Sequence, residues 1–121
     1  MENEFALEIK RQKVLTEYKS ALISAINLIL DNIKSQKDLA EAIIENGSTK
    51  MTSEKVKGFE KSIDRYSALK NKIENDVKLS KADYSLLAVA CTGASNSVAS
   101  NAHKLLDSAK QLQNLAKAFM A

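Results

Sequence analysis

The sequence predicts an all-α protein that folds as a three-helix antiparallel bundle with two long helices. Its 121 residues contain no proline and three glycines, so the residues that usually form turns and interrupt sheets are scarce. Apolar residues make up 45% and charged residues 27%, an ordinary globular composition for one domain over residues 1–121. Apolar positions recur mostly every three or four residues, which is the period of an amphipathic helix.

The first helix is predicted over about residues 2–46. Acidic residues near its start suit the positive end of the helix dipole. Asn46 and Gly47 tolerate the left-handed conformation that ends many helices. Residues 20–30 are uncharged and apolar on more than one side, so we expect this helix to lie centrally in the bundle.

The second helix is predicted over about residues 53–78. The hydroxyl group of Thr52 or Ser53 can cap its first backbone amides. Its apolar residues form one narrow stripe, and charged residues occupy most of the remaining positions. This pattern is typical of a helix with one broad face in water.

The third helix is predicted over about residues 81–119. Leu79, Ser80, Asp83 and Tyr84 precede and open it with the pattern of a capping box and a hydrophobic staple. Residues 84–102 then contain no Asp, Glu, Lys or Arg, so we expect most of this segment's circumference to contact protein. The apolar spacing passes Gly93 without a shift and favours one continuous helix. A break there, or a bend of the first helix around residues 27–32, would give a four-helix bundle.

The helix lengths predict two protruding arms. At 1.5 Å per residue the helices measure about 65, 39 and 58 Å, so they cannot overlap fully. The arms, up to about residue 19 and from about residue 103, then leave apolar stripes exposed, which favours a homo-oligomer or capture of a partner helix. The predicted interface residues are Phe5, Ile9 and Leu15 on the N-terminal arm and Leu105, Leu112, Leu115 and Phe119 on the C-terminal arm.

Residues for catalysis are few. Cys91 and His103 are the single cysteine and histidine, and one helix would hold them about 18 Å apart, too far for a nucleophile and its base. Cys91 lies on the apolar stripe, where we expect a buried thiol. The sequence shows no phosphate-binding glycine loop, zinc-ligand spacing or calcium loop. We therefore expect no enzyme activity, cofactor or metal.

Two alternative functions involve the basic residues, which give a net charge of +3. Lys57, Lys61 and Arg65 recur every four residues on the second helix and could follow the phosphates of a nucleic acid. Glu60 and Asp64 lie among them and favour an ordinary solvated face. Alternatively, the C-terminal arm could bind a membrane surface, since its lysines lie opposite leucines. No apolar run reaches the roughly 20 residues of a transmembrane helix.

The N-terminus lacks the layout of a secretory signal, and a single cysteine cannot form an intramolecular disulfide. These features favour a cytoplasmic location. We predict a non-enzymatic helical-bundle protein that acts by binding proteins, as an adaptor, small chaperone or inhibitor, and that self-associates.

Overall fold

The computed structural model describes residues 4–45, 47, 50–101 and 106–120. This part of the chain forms five packed helices, and it confirms the prediction of an all-α fold. The predicted count of three or four helices is wrong, because both long helices are divided. The helices are α1 (Glu4–Glu17), α2 (Lys19–Glu45), α3 (Lys50–Glu74), α4 (Lys81–Asn101) and α5 (Leu106–Met120).

The first predicted helix divides at Tyr18, while residues 27–32 lie inside α2. Backbone hydrogen bonds of 2.9 Å join the Tyr18 N–H to the Val14 carbonyl and the Leu22 N–H to the Tyr18 carbonyl, so the helical bonding is maintained across the division. On the N-terminal side of Tyr18, α1 contacts α5 as well as α2. The N-terminal segment therefore lies along the bundle and does not form a protruding arm.

The third predicted helix folds back on itself. A continuous helix would separate Ser95 from Ala109 by about 21 Å, yet the Ser95 hydroxyl donates a 2.8 Å hydrogen bond to the Ala109 carbonyl. Thus α4 and α5 form a helical hairpin, and the prediction of one continuous helix is wrong. Gly93, the suspected break point, lies within α4. The fold-back is favoured because it buries apolar side chains of α5 that an extended arm would leave in water.

The connection between α2 and α3 agrees with the prediction at Gly47 but differs from it at the start of α3. Gly47 has φ of 89°, the left-handed conformation predicted for it, and Asn46 lies outside the described residues. Helix α3 already begins at Lys50, so Thr52 and Ser53 lie within it. The prediction that either residue caps the helix is wrong.

Helix α3 ends at Glu74, four residues before the predicted end near residue 78. The Val77 N–H bonds the Lys72 carbonyl at 2.9 Å, and the Asp76 N–H bonds the Ile73 carbonyl at 3.3 Å. Asp76 has φ of 55°. These features form a Schellman motif with aspartate in the position that glycine usually takes. The chain therefore leaves the helix early enough to bury Leu79.

The capping box at the start of α4 is confirmed. The Asp83 N–H donates to Ser80 Oγ at 3.2 Å, and the Ser80 N–H donates to Asp83 Oδ2 at 2.9 Å. Lys72 Nζ also lies 2.9 Å from Asp83 Oδ2. Burial alone would raise the pKa of Asp83, but the hydrogen bonds from Ser80 and Lys72 outweigh it and hold the pKa below its usual value. Leu79 and Tyr84 are both buried, as the staple requires.

Helix α4 is central to the core, as its lack of charge predicts. Its buried side chains pack against α2 on one side and α5 on another. The buried positions of α4 are Tyr84, Leu87, Ala88, Ala90, Cys91, Ala94 and Ser95. A different set remains exposed along the outer side of the helix, namely Ser85, Val89, Thr92 and Asn96. The uncharged segment is therefore buried on only part of its circumference.

Replacing Gly58 or Gly47 by alanine should change the free energy of unfolding in opposite directions. An added Cβ at Gly58, inside α3, meets nothing within 4 Å, so Gly58→Ala should stabilise the protein by about 1 kcal/mol through higher helix propensity. Gly47 has the positive φ that alanine disfavours, so Gly47→Ala should destabilise it by about 1 kcal/mol. Urea unfolding of the two variants measures both effects. Equal shifts of the same sign would contradict the assigned conformations.

Candidate functional site

The fold-back of α5 leaves an open groove where α1, α4 and α5 meet. We call it the α4 groove, and its volume is about 760 Å³. Its lining consists of Arg11 from α1, Phe119 and Met120 from α5, and Lys81, Tyr84, Ser85, Ala88, Val89, Thr92, Gly93 and Asn96 from α4. The groove therefore uses the outer side of α4 that the other helices leave exposed.

The groove has a buried apolar floor and exposed apolar side chains beside it. Tyr84, Ala88 and Phe119 are buried, whereas Val89 is 60% and Met120 is 74% exposed. The rings of Tyr84 and Phe119 stack with centroids 5.9 Å apart and planes inclined by 18°. Large apolar side chains next to such a floor form a contiguous apolar patch, which is typical of an interaction surface.

Tyr84 fixes the position of α1 beside the groove. Its hydroxyl donates a 2.9 Å hydrogen bond to Glu8 Oε1 and accepts one of 3.4 Å from Gln12 Nε2. Gln12 Nε2 also donates to Glu8 Oε1 at 3.1 Å. The guanidinium carbon of Arg11 lies 4.9 Å from the centroid of the Tyr84 ring, a cation–π contact. Three side chains of α1 thus converge on one tyrosine of α4.

This cluster shifts two pKa values. Burial, followed by the hydrogen bond to Glu8 and its negative charge, raises the pKa of Tyr84 to about 12. The hydrogen bonds from Gln12 and Tyr84 hold the pKa of Glu8 below its usual value. Near neutral pH, Tyr84 is therefore a protonated donor and Glu8 a charged acceptor, which is the pairing that joins α1 to α4.

Charge is confined to one end of the groove. Lys81 is the first residue of α4, and Arg11 contacts Tyr84 one turn further along. Lys81 Nζ lies 3.6 Å from Glu4 Oε1, with side chains that are 87% and 90% exposed. Among the lining residues that the structure describes there is no carboxylate, and Thr92 and Asn96 at the far end are uncharged. The two cationic lining residues therefore share one end of the groove, and the carboxylates of Glu4 and Glu8 lie beside them.

The structure separates the residues predicted to form an interface. The single chain buries Leu112, Leu115 and Phe119. The prediction of an exposed C-terminal arm, on which their assignment to an interface depended, is therefore wrong. Leu105 lies outside the described residues. On α1, Phe5 is 74% and Ile9 is 55% exposed, whereas Leu15 is partly buried against the core. Of the six that the structure describes, only Phe119 lines the α4 groove.

The sequence analysis missed three residues that line the groove, namely Val89, Met120 and Arg11. The uncharged segment suggested complete burial, which hid the one exposed side of α4. At 100° per residue, Ser85, Val89, Thr92 and Asn96 fall within one narrow sector of the helix. Three of these four residues are polar but uncharged, and their shared sector was the available signal for an exposed face.

The basic stripe of the nucleic-acid alternative lies elsewhere. Lys57, Lys61 and Arg65 are exposed on α3, and none of them lines the α4 groove. Glu60, which lies among them in sequence, approaches Lys37 of α2, with Glu60 Oε1 3.7 Å from Lys37 Nζ. Binding of nucleic acid to this stripe stays a prediction.

Cys91 is fully buried, as predicted for its place on the apolar stripe, and burial raises the pKa of its thiol to about 11. His103, the other residue considered for catalysis, lies outside the described residues.

Within the described part of the chain, no group of three or more His, Cys, Asp or Glu side chains is placed to hold a metal ion. None of the helices, over the residues the structure describes, has the length and apolar character needed to cross a membrane.

Tyr84→Phe should alter the alkaline stability of the protein. Because folding raises the pKa of Tyr84 from 10 to about 12, its protonated hydroxyl contributes stability that is complete below pH 10 and is lost as pH rises to about 12. Phenylalanine removes this contribution and costs about 1 kcal/mol at neutral pH through the lost hydrogen bond. Urea unfolding from pH 8 to 12 should show that the difference in the free energy of unfolding between parent and variant shrinks above pH 10. Burial also raises the pKa of Tyr66, but Tyr66 is present in both proteins and so does not affect this difference. A difference that stays constant to pH 12 would contradict the assignment.

No known protein family matches this sequence, and comparisons with curated proteins and with solved structures also give no match. The chemistry of the groove is therefore the basis for assigning a function.

Proposed function

We propose that this protein is a non-enzymatic binding protein, of adaptor, small-chaperone or inhibitor type, whose α4 groove receives an apolar helix of a partner protein. The observation that carries the proposal is the exposure of Val89 and Met120 beside the buried floor of Tyr84, Ala88 and Phe119. An apolar surface of this form gains free energy when a second apolar surface removes it from water.

The dimensions of the groove suit a helix. Lys81 and Asn96 are fifteen positions apart on α4, which corresponds to about 22 Å and about four helical turns. Between them, Ser85 and Thr92 have short side chains, so a second helix could approach to the usual 8–10 Å between axes. Such a helix would place apolar anchors at i, i+3 or i+4, and i+7 along the groove.

The polar groups of the groove support binding in preference to catalysis. Tyr84 has a pKa of about 12, far from neutral, and its hydroxyl already bonds Glu8. An efficient general acid or base has a pKa near the working pH. Ser85, Thr92 and Asn96 follow one another along the helix, an arrangement that suits contacts spread along a partner.

A separate protein partner is proposed in place of a second copy of the chain. The expectation of self-association depended on apolar stripes of both arms, and Leu112, Leu115 and Phe119 of the C-terminal stripe are internal. Packing only α4 against its copy would cover far less than the roughly 800 Å² per subunit of a standard interface. A partner helix in the groove would instead bind through apolar anchors along one of its faces.

Val89→Glu should weaken partner binding. A charge placed among the apolar contacts should weaken binding by about 2 kcal/mol, roughly thirtyfold. Val77→Glu is the matched control, since Val77 is 50% exposed and does not line the groove. Both exposed positions should tolerate glutamate without unfolding, which circular dichroism checks.

The measurement is affinity capture by the tagged 121-residue chain from cells of its source organism. The parent and Val77→Glu should recover the same partner, and Val89→Glu should lose it. Recovery of the same partner by both variants would place binding outside the groove. Sedimentation of the purified chain gives its oligomeric state, and a dimer lost only in Val89→Glu would identify a second copy as the occupant.

A further inference from the structure

We infer that the helix received by the α4 groove carries asparagine or glutamine opposite Thr92 and Asn96, and that these amides fix the register of the helix along α4. The inference rests on the proposed function and specifies the chemistry of the partner. It depends on the hydrogen-bonding groups at one end of the groove and not on the charged residues near Tyr84.

Thr92 and Asn96 have side chains whose hydrogen-bonding groups the fold does not use. Both side chains are exposed and line the groove. Within the described part of the chain, neither makes a hydrogen bond to another protein group. The hydroxyl of Thr16 on α1 behaves differently, since it donates to the Gln12 carbonyl of its own helix at 2.9 Å. The Thr92 hydroxyl and the Asn96 amide therefore face the groove as groups that water hydrates.

A partner helix that covers this end of the groove removes that water. A donor or acceptor buried without a new partner weakens binding by about tenfold, because its desolvation is not compensated. An entirely apolar helix would thus lose at Thr92 and Asn96 part of the free energy that it gains at Val89 and Met120. A helix that supplies hydrogen-bonding groups here avoids that loss.

An amide suits these groups better than a charged side chain does. The Thr92 hydroxyl and the Asn96 amide both donate and accept, as Asn and Gln do, whereas a carboxylate only accepts and an ammonium only donates. Desolvating a charge without an opposite charge costs more than desolvating an amide. The charged residues among the described lining, Arg11 and Lys81, lie toward the other end of the groove.

The spacing of the groove residues allows an amide to fix the register. Ser85, Val89, Thr92 and Asn96 follow at intervals of four, three and four positions, which is the spacing of a coiled-coil seam. A polar residue in such a seam is paired in one register and disfavours the others. Sliding the partner by one heptad would place an apolar anchor against Asn96 and leave both sets of amides unpaired.

Three labelled peptides test this inference. Each has about sixteen residues, alanine-rich with leucine at i, i+3 or i+4, and i+7, and they differ only in one terminal turn, which carries two Gln, two Leu or two Glu. All three residues are good helix formers, so the peptides are matched in helix propensity. Fluorescence anisotropy with the 121-residue protein should show that the Gln peptide binds about fivefold more tightly than either of the others.

Asn96→Leu should reverse the preference between the Gln and Leu peptides, because the amide then meets an apolar side chain. Asn114→Leu is the matched control, since it makes the same change at an exposed residue of α5 that does not line the groove. It should preserve the parent's order of affinities. Thr92→Val removes the hydroxyl at nearly constant shape and should reduce the preference for Gln. Circular dichroism checks that each variant is folded.

Equal binding of the three peptides, with binding weakened in Val89→Glu, would overturn the amide inference and leave the proposed function standing. A preference for Gln that is unchanged in Asn96→Leu would overturn it as well, since the preference would then arise elsewhere. If none of the peptides binds, the amide inference is overturned, and partner capture with Val89→Glu decides the proposed function separately.

Discussion

The arrangement of the helices depends on the contacts of Tyr84. The capping box of Ser80 and Asp83 sets where α4 begins, and the staple position next to it places the Tyr84 ring in the core. The ring stacks on Phe119 at the end of α5, and its hydroxyl bonds Glu8 of α1. Two terminal helices are thereby held against the first turns of α4. The groove lies along the outer side of α4, which neither helix covers.

Small side chains determine how α5 can return along α4. Ala94 and Ala109 are both buried, and the Ser95 hydroxyl bridges to the backbone of α5 at Ala109. Close approach there lets Leu112, Leu115 and Phe119 enter the core, and each such side chain contributes roughly 1.5–3 kcal/mol on full burial. The same shortage of large side chains on the outer side of α4 leaves a shallow surface. One property of this helix therefore explains both the internal hairpin and the open groove.

Local features such as a helix cap could be predicted from the sequence, whereas the packing of distant segments could not. The left-handed Gly47 and the capping box follow from a few neighbouring residues, and both were predicted. The hairpin was missed because an unbroken apolar stripe has the same spacing whether its two halves lie in line or face each other. The groove was missed because absence of charge was equated with burial, although Ser85 and Thr92 face solvent without carrying charge. The charge-free segment is thus both core and surface.

The distance between positions 85 and 120 tests most directly whether α5 lies along α4. Spin labels on Ser85→Cys and Met120→Cys would report it, and Cys91 should stay unlabelled at neutral pH because it is buried with a thiol pKa of about 11. Both labelled residues line the groove, so a short distance below about 25 Å is predicted. A straight α4–α5 helix would separate them by about 52 Å. A distance near that value would contradict the hairpin, and with it the groove and the function proposed for it.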